Sequence, residues 1–108
     1  MAKKVSFDYD GTLTNPRVAD VMDRWKAIGD EIFIITSRND RMMGPVYAFA
    51  LEHGITRSHV YQSTVGHKWE VVKRLGIDKA VDNNPNELKL IRENTSALAW
   101  TPSQALNY

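Results

Sequence analysis

Glu31-Ile32-Phe33-Ile34-Ile35-Thr36 is the stretch on which the fold of this chain turns. Four apolar residues follow one another without a polar alternation, and three of them are β-branched isoleucines. A strand with one wet face would alternate. An unbroken apolar strand is covered on both faces, as in a parallel sheet sandwiched between helices. Working outward, the preceding segment has Asn15 as a helix cap, Pro16 in the first turn, and Val18, Val21, Met22, Trp25 and Ile28 at helical spacing before Gly29. Before that lies a strand over residues 4–8. After the central strand come a helix from near Asp40 or Pro45 to His53, a strand over 59–62 and a helix over 67–75 stopped by Gly76. A strand over 79–82, a helix from Pro85 to near Asn94 and a strand over 97–100 complete the pattern. Asn84 followed by Glu87 reads as a capping box for that last helix. Five strands alternating with four helices predict an α/β domain with a parallel sheet and right-handed crossovers.

The chain has 108 residues, enough for one domain over residues 1–108 with one core. It is 43% hydrophobic and 25% charged, ordinary for a globular protein and wrong for a disordered one. Fourteen basic residues against thirteen acidic ones leave a net charge of +1, so bulk attraction to nucleic acid or membrane has no basis. With no cysteine, disulfides, thiolate catalysis and thiolate-bound zinc are excluded. Neither a leader-like N-terminus nor a membrane-length apolar run is present, and the expected location is the cytoplasm.

In parallel α/β sheets, ligands bind beyond the carboxyl ends of the strands. The polar residues there are Asp8 and Asp10 after the first strand, Thr36, Ser37 and Arg38 after the second, and Asp82 and Asn83 after the fourth. Converging carboxylates need a cation between them. Oxygen donors without histidine or cysteine point to magnesium, which shares substrate phosphate oxygens. One aspartate is then placed to attack phosphorus and another to move a proton. Gly11 and Thr12, with Ser37 and Arg38, are the residues assigned to substrate contact.

Asp8-Tyr9-Asp10-Gly11-Thr12-Leu13-Thr14 resembles the first motif of the haloacid dehalogenase superfamily of aspartate-nucleophile phosphatases. Ile32-Phe33-Ile34-Ile35-Thr36 is similar to its second motif, Lys68 to its third, and Ala80-Val81-Asp82-Asn83 to its fourth, in family order over about three-quarters of the chain. The resemblance implies a Rossmann-like three-layer sandwich and a magnesium-dependent phosphohydrolase. It implies Asp8 as nucleophile and metal ligand, and Asp10 as general acid/base whose backbone carbonyl also meets the metal. Thr36 and Lys68 would hold the transferring phosphoryl group, and Asp82 would complete the metal site.

Two departures stand out. Many relatives carry a second acid where this chain has Asn83; the asparagine oxygen is a candidate substitute, while Glu87 reads as a helix cap with a metal role as its alternative. The spacing also leaves no room for a cap domain. An open site suits a phosphate on a large molecule such as a nucleic-acid end or a nucleotide, and the layout is similar to the phosphatase domains of polynucleotide kinases. His53, His59 and His67 read as surface or capping residues, and Trp25, Trp69 and Trp100 as packing residues. Two other functions fit the same motifs: a non-catalytic metal- or phosphate-binding module, and a phosphoacceptor domain marked at Asp8.

Overall fold

The computed structural model describes residues 2–107. Five parallel strands, β1 (Lys4–Phe7), β2 (Glu31–Thr36), β3 (Val60–Gln62), β4 (Lys79–Val81) and β5 (Leu98–Trp100), form one sheet in the order β3-β2-β1-β4-β5. The helices are α1 (Pro16–Ala27), α2 (Gly44–Glu52), α3 (Lys68–Leu75), α4 (Pro85–Asn94) and α5 (Pro102–Leu106). The predicted α/β architecture with five parallel strands is present.

The central strand shows why the order of layers follows from its sequence. Ile32 and Ile34 pack into one core with Val18, Met22 and Trp25 of α1, Val46 and Ala50 of α2, and Ala105 of α5. Phe33 and Ile35 pack into the other, with Val71 and Val72 of α3 and Leu88 and Ile91 of α4. Successive side chains of a strand point to opposite faces, so each neighbour in the apolar run serves a different layer. Each such side chain contributes about 1.5–3 kcal/mol through burial.

The structure departs from the sequence reading in three places. A fifth helix follows β5. Thr101 caps it, accepting from the Gln104 amide at 3.2 Å, while the Gln104 side chain accepts from the Thr101 amide at 2.8 Å. Thr101-Pro102-Ser103-Gln104 thus carries both the capping box and a proline in the first turn. Conversely, no capping box forms at α4. Asn84 Oδ1 caps the helix by accepting from the amides of Asn86 and Glu87, but the Glu87 side chain turns away from Asn84. The segment after β2 also splits, with a short 3-10 turn at Asp40–Met42 preceding α2.

At the amino end of β4, Lys79 is 6% exposed, its Nζ 4.3 Å from the Trp25 ring centroid and 4.1 Å from that of Trp100. Trp25, Trp69 and Trp100 pack against the cores, as expected. No described helix is long and apolar enough to cross a membrane.

Candidate active site at the carboxyl edge of the sheet

The register of β1 and β4 builds the centre of the site. Phe7 lies opposite Val81, so Asp8 and Asp82 leave adjacent strands side by side. The chain runs from β1 outward to β2 on one side, while β4 lies on the other, and a crevice opens where the two directions part. It has a volume of about 340 Å³. Asp8, Asp10, Lys68, Asp82 and Asn83 line it, with Ser37 and Arg38 on the β2 side.

Lys68, the first residue of α3, reaches back to bridge the two aspartates. Its Nζ lies 2.7 Å from Asp8 Oδ1 and 2.8 Å from Asp82 Oδ2, and all three residues are buried. Burial opposes the Lys68 charge, but Asp82 and Asp8 outweigh it and hold the ammonium above its ordinary range. Asp8 responds in the other direction: burial and the facing Asp82 raise its pKa to about 6, against the pull of Lys68 and the Thr12 hydroxyl. Charge–charge interaction is strong here because little water screens it.

The turn after β1 holds Asp8 in place. Thr12, fully buried, donates its hydroxyl to Asp8 Oδ2 at 3.2 Å, and the Leu13 amide donates to the Asp8 carbonyl at 3.3 Å. Thr12 therefore positions the nucleophile candidate rather than facing substrate. Gly11 has φ +72°, and a Cβ there would stand 2.1 Å from Asn83 Nδ2. Both the backbone and the neighbour require glycine. Asn83 lies against this turn as well as on the crevice wall.

Asp10 sits at the rim in a two-pronged pair with Arg38. Nε donates to Oδ2 at 2.9 Å and Nη2 to Oδ1 at 2.7 Å. The hydrogen bonds from Arg38 hold the Asp10 carboxyl below its usual range. Arg38 is itself braced, with Nη1 on the Met42 carbonyl at 2.9 Å and its guanidinium carbon 5.0 Å from the Tyr9 ring centroid.

Thr36 does not line the crevice. It is fully buried and its Oγ1 accepts from the Arg38 amide at 3.2 Å, so it shapes the turn, and Ser37 presents the exposed hydroxyl. The alternation along β2 explains this, since Thr36 falls on the same face as the buried Ile32 and Ile34.

Glu87 corrects the sequence reading. It is 2% exposed and lines the crevice from α4. Oε2 accepts from the Gly66 amide at 3.0 Å, and Oε1 is buried with no hydrogen-bond partner. A helix cap would face its own first turn; this carboxylate faces the site. The signal was present in its spacing five residues after Asp82, but an equally good local use of the same side chain masked it.

Among the described residues, no three His, Asp or Glu side chains gather closely enough to form a metal site by themselves. The donor set still fits magnesium, which takes one or two carboxylates and fills its remaining positions with waters and phosphate oxygens. Asp8 and Asp82 would supply the carboxylates, and Glu87, whose Oε1 has no partner, lines the same crevice. The histidines lie elsewhere: His53 pairs with Asp23, His59 with Glu31 and the Ile32 carbonyl, and His67 with Glu70. Comparison with known protein families and with curated proteins finds no match to this chain.

Proposed function

We propose that this chain is a magnesium-dependent phosphohydrolase of the aspartate-nucleophile type, acting on phosphomonoesters. One observation carries the reading: a buried Asp8–Lys68–Asp82 array at the carboxyl ends of neighbouring central strands, with a third carboxylate, Asp10, at the rim. Such an array combines an ionisable oxygen nucleophile with a fixed positive charge for a phosphoryl group.

Asp8 attacks phosphorus through a carboxylate oxygen as the bond from phosphorus to the ester oxygen breaks. Lys68 offsets charge on the phosphoryl oxygens and holds Asp8 in line. Asp10 gives its proton to the departing alkoxide, which leaves as an alcohol. Asp10 then takes a proton from water, whose oxygen attacks phosphorus and breaks the bond to Asp8. Inorganic phosphate leaves and Asp8 is restored. Asp8, Asp82 and the Asp10 carbonyl would hold magnesium, aided by Glu87 or Asn83, and the ion would offset phosphate charge. Because Arg38 keeps Asp10 ionised, the acid role requires Arg38 to let go, and the incoming phosphate is an anion able to compete for it.

That same pair favours a second reading, a phosphoacceptor domain in which the phosphate on Asp8 persists because Asp10 turns over slowly. One experiment separates them. The wild-type protein is mixed with an aryl phosphate and magnesium, quenched at intervals, and analysed by mass spectrometry for phosphate on Asp8. A transient adduct with continuing release of phosphate supports the hydrolase. A stable adduct supports the acceptor, and no adduct with no release removes both.

A further inference from the structure

The crevice continues into a second recess of about 340 Å³ over the β2–β3 edge, and the two share Ser37 and Arg38. An ester group on a phosphate seated against Asp8 and Lys68 reaches this recess where it extends past Ser37 and Arg38. Its chemistry is specific. Ser37, Ser63 and Thr64 bring hydroxyls, and Asn39 and Gln62 bring carboxamides. Gln62 is already tied down, its Nε2 donating to the Arg38 carbonyl at 3.1 Å and to Asp40 Oδ1 at 3.0 Å. Hydroxyls and carboxamides both donate and accept, as sugar hydroxyls do.

Charge decides against a polyanion. Among the described residues, Arg38 and Asp40 are the only charged ones lining the recess, and they cancel. All three guanidinium nitrogens of Arg38 already donate within the protein, to Asp10 and to the Met42 carbonyl. A nucleic-acid strand needs several cations along its track, whereas among the described residues the recess lining carries Arg38 alone, the same cation that a phosphate at Asp8 would compete for. Among the described residues, no aromatic side chain lines the recess for a base to stack on. Among the described residues that line the recess none has an aliphatic hydrocarbon side chain to receive an alkyl group.

Building on the phosphohydrolase reading, we infer that the ester group is a neutral polyol and that the substrate is a sugar phosphate, its hydroxyls held by Ser37, Asn39 and Thr64. This departs from the nucleic-acid end that an open site first suggests.

Binding to the Asp8→Asn protein with magnesium is measured by calorimetry for four probes of matched terminal phosphate: a hexose 6-phosphate, butyl phosphate, a 5′-phosphorylated oligonucleotide and a phosphoserine peptide. The same protein carrying Asn39→Ala or Thr64→Val is measured alongside. These two exposed positions lie on separate loops, so if one variant unfolds the other carries the test. The hexose phosphate should bind at least about tenfold tighter than butyl phosphate, the yield of one or two net hydrogen bonds. Either added substitution should erase most of that ratio. Equal binding of the two, a ratio unmoved by both substitutions, or tighter binding of the oligonucleotide or the peptide overturns the inference. Wild-type turnover of an aryl phosphate separates the two levels. Turnover without the sugar preference overturns this inference alone. A sugar preference without turnover of any monoester overturns the hydrolytic reading and leaves a sugar-phosphate binding site.

Discussion

Glu87 Oε2 accepts a hydrogen bond from the Gly66 amide at 3.0 Å, tying the first turn of α4 to the loop before α3. The other carboxylate oxygen is buried without a partner, on a residue that lines the same crevice as Asp8 and Asp82. A buried oxygen without a donor carries a desolvation cost of about 1–3 kcal/mol, which a bound cation or its water would relieve.

Glu87→Gln should therefore weaken magnesium binding while keeping an acceptor for Gly66. Glu87→Ala should weaken it too and, by stripping the Gly66 amide of its partner, lower stability by about 1–3 kcal/mol. Magnesium titration by calorimetry, beside urea denaturation in chelator, separates the two effects. Unchanged magnesium affinity in Glu87→Gln would confine the residue to holding the loop.

Asp8→Asn should abolish turnover yet make the metal-free protein more stable at neutral pH. The folded-state pKa of Asp8 is raised from 3.8 to about 6. Between those values the folded state binds more protons than the unfolded state, so stability falls as pH rises through the window. The asparagine variant escapes that fall. Its stability relative to wild type should improve from pH 4 to pH 7 by up to about 3 kcal/mol, roughly two pKa units at about 1.4 kcal/mol each. Denaturation curves at the two pH values in chelator measure this, and a difference that stays constant would contradict the burial argument.

Lys68→Met removes the cation between Asp8 and Asp82 and leaves two buried carboxylates facing each other. Breaking a buried pair in this way costs about 3–5 kcal/mol. Because protonation relieves the repulsion, the loss should shrink on acidification through the range where Asp8 titrates. Chemical denaturation across pH 4–7 tests it. An equal loss at every pH would point to lost packing instead.

Gly11→Ala combines two penalties, a side chain at φ +72° and a Cβ 2.1 Å from Asn83 Nδ2. The backbone part alone is worth about 1–2 kcal/mol. Asn83→Gly in the same protein should relieve the contact but not the dihedral, so the double variant should recover only part of the stability. Full recovery would show that the close approach was the whole cost.

The sequence alone determined the alternation of elements, the parallel sheet and the edge on which the polar residues gather. The reason is local: Ile32 to Ile35 require apolar cover on both faces, and Asn15, Pro16, Asn84 and Pro85 mark helix starts through bonds made within a few residues. What it left open were the choices between one side chain and another at long range. Glu87 is three residues after a helix cap, so its local role looked sufficient, and only the packing of α3 against α4 brings Gly66 to it and turns it into the crevice. Strand alternation drew Thr36 into the core and left the exposed hydroxyl to Ser37. Arg38 meets Asp10 across 28 residues, and Lys68 meets Asp8 across 60. These pairings depend on strand order and register, which place distant residues side by side through backbone hydrogen bonds that no local pattern encodes.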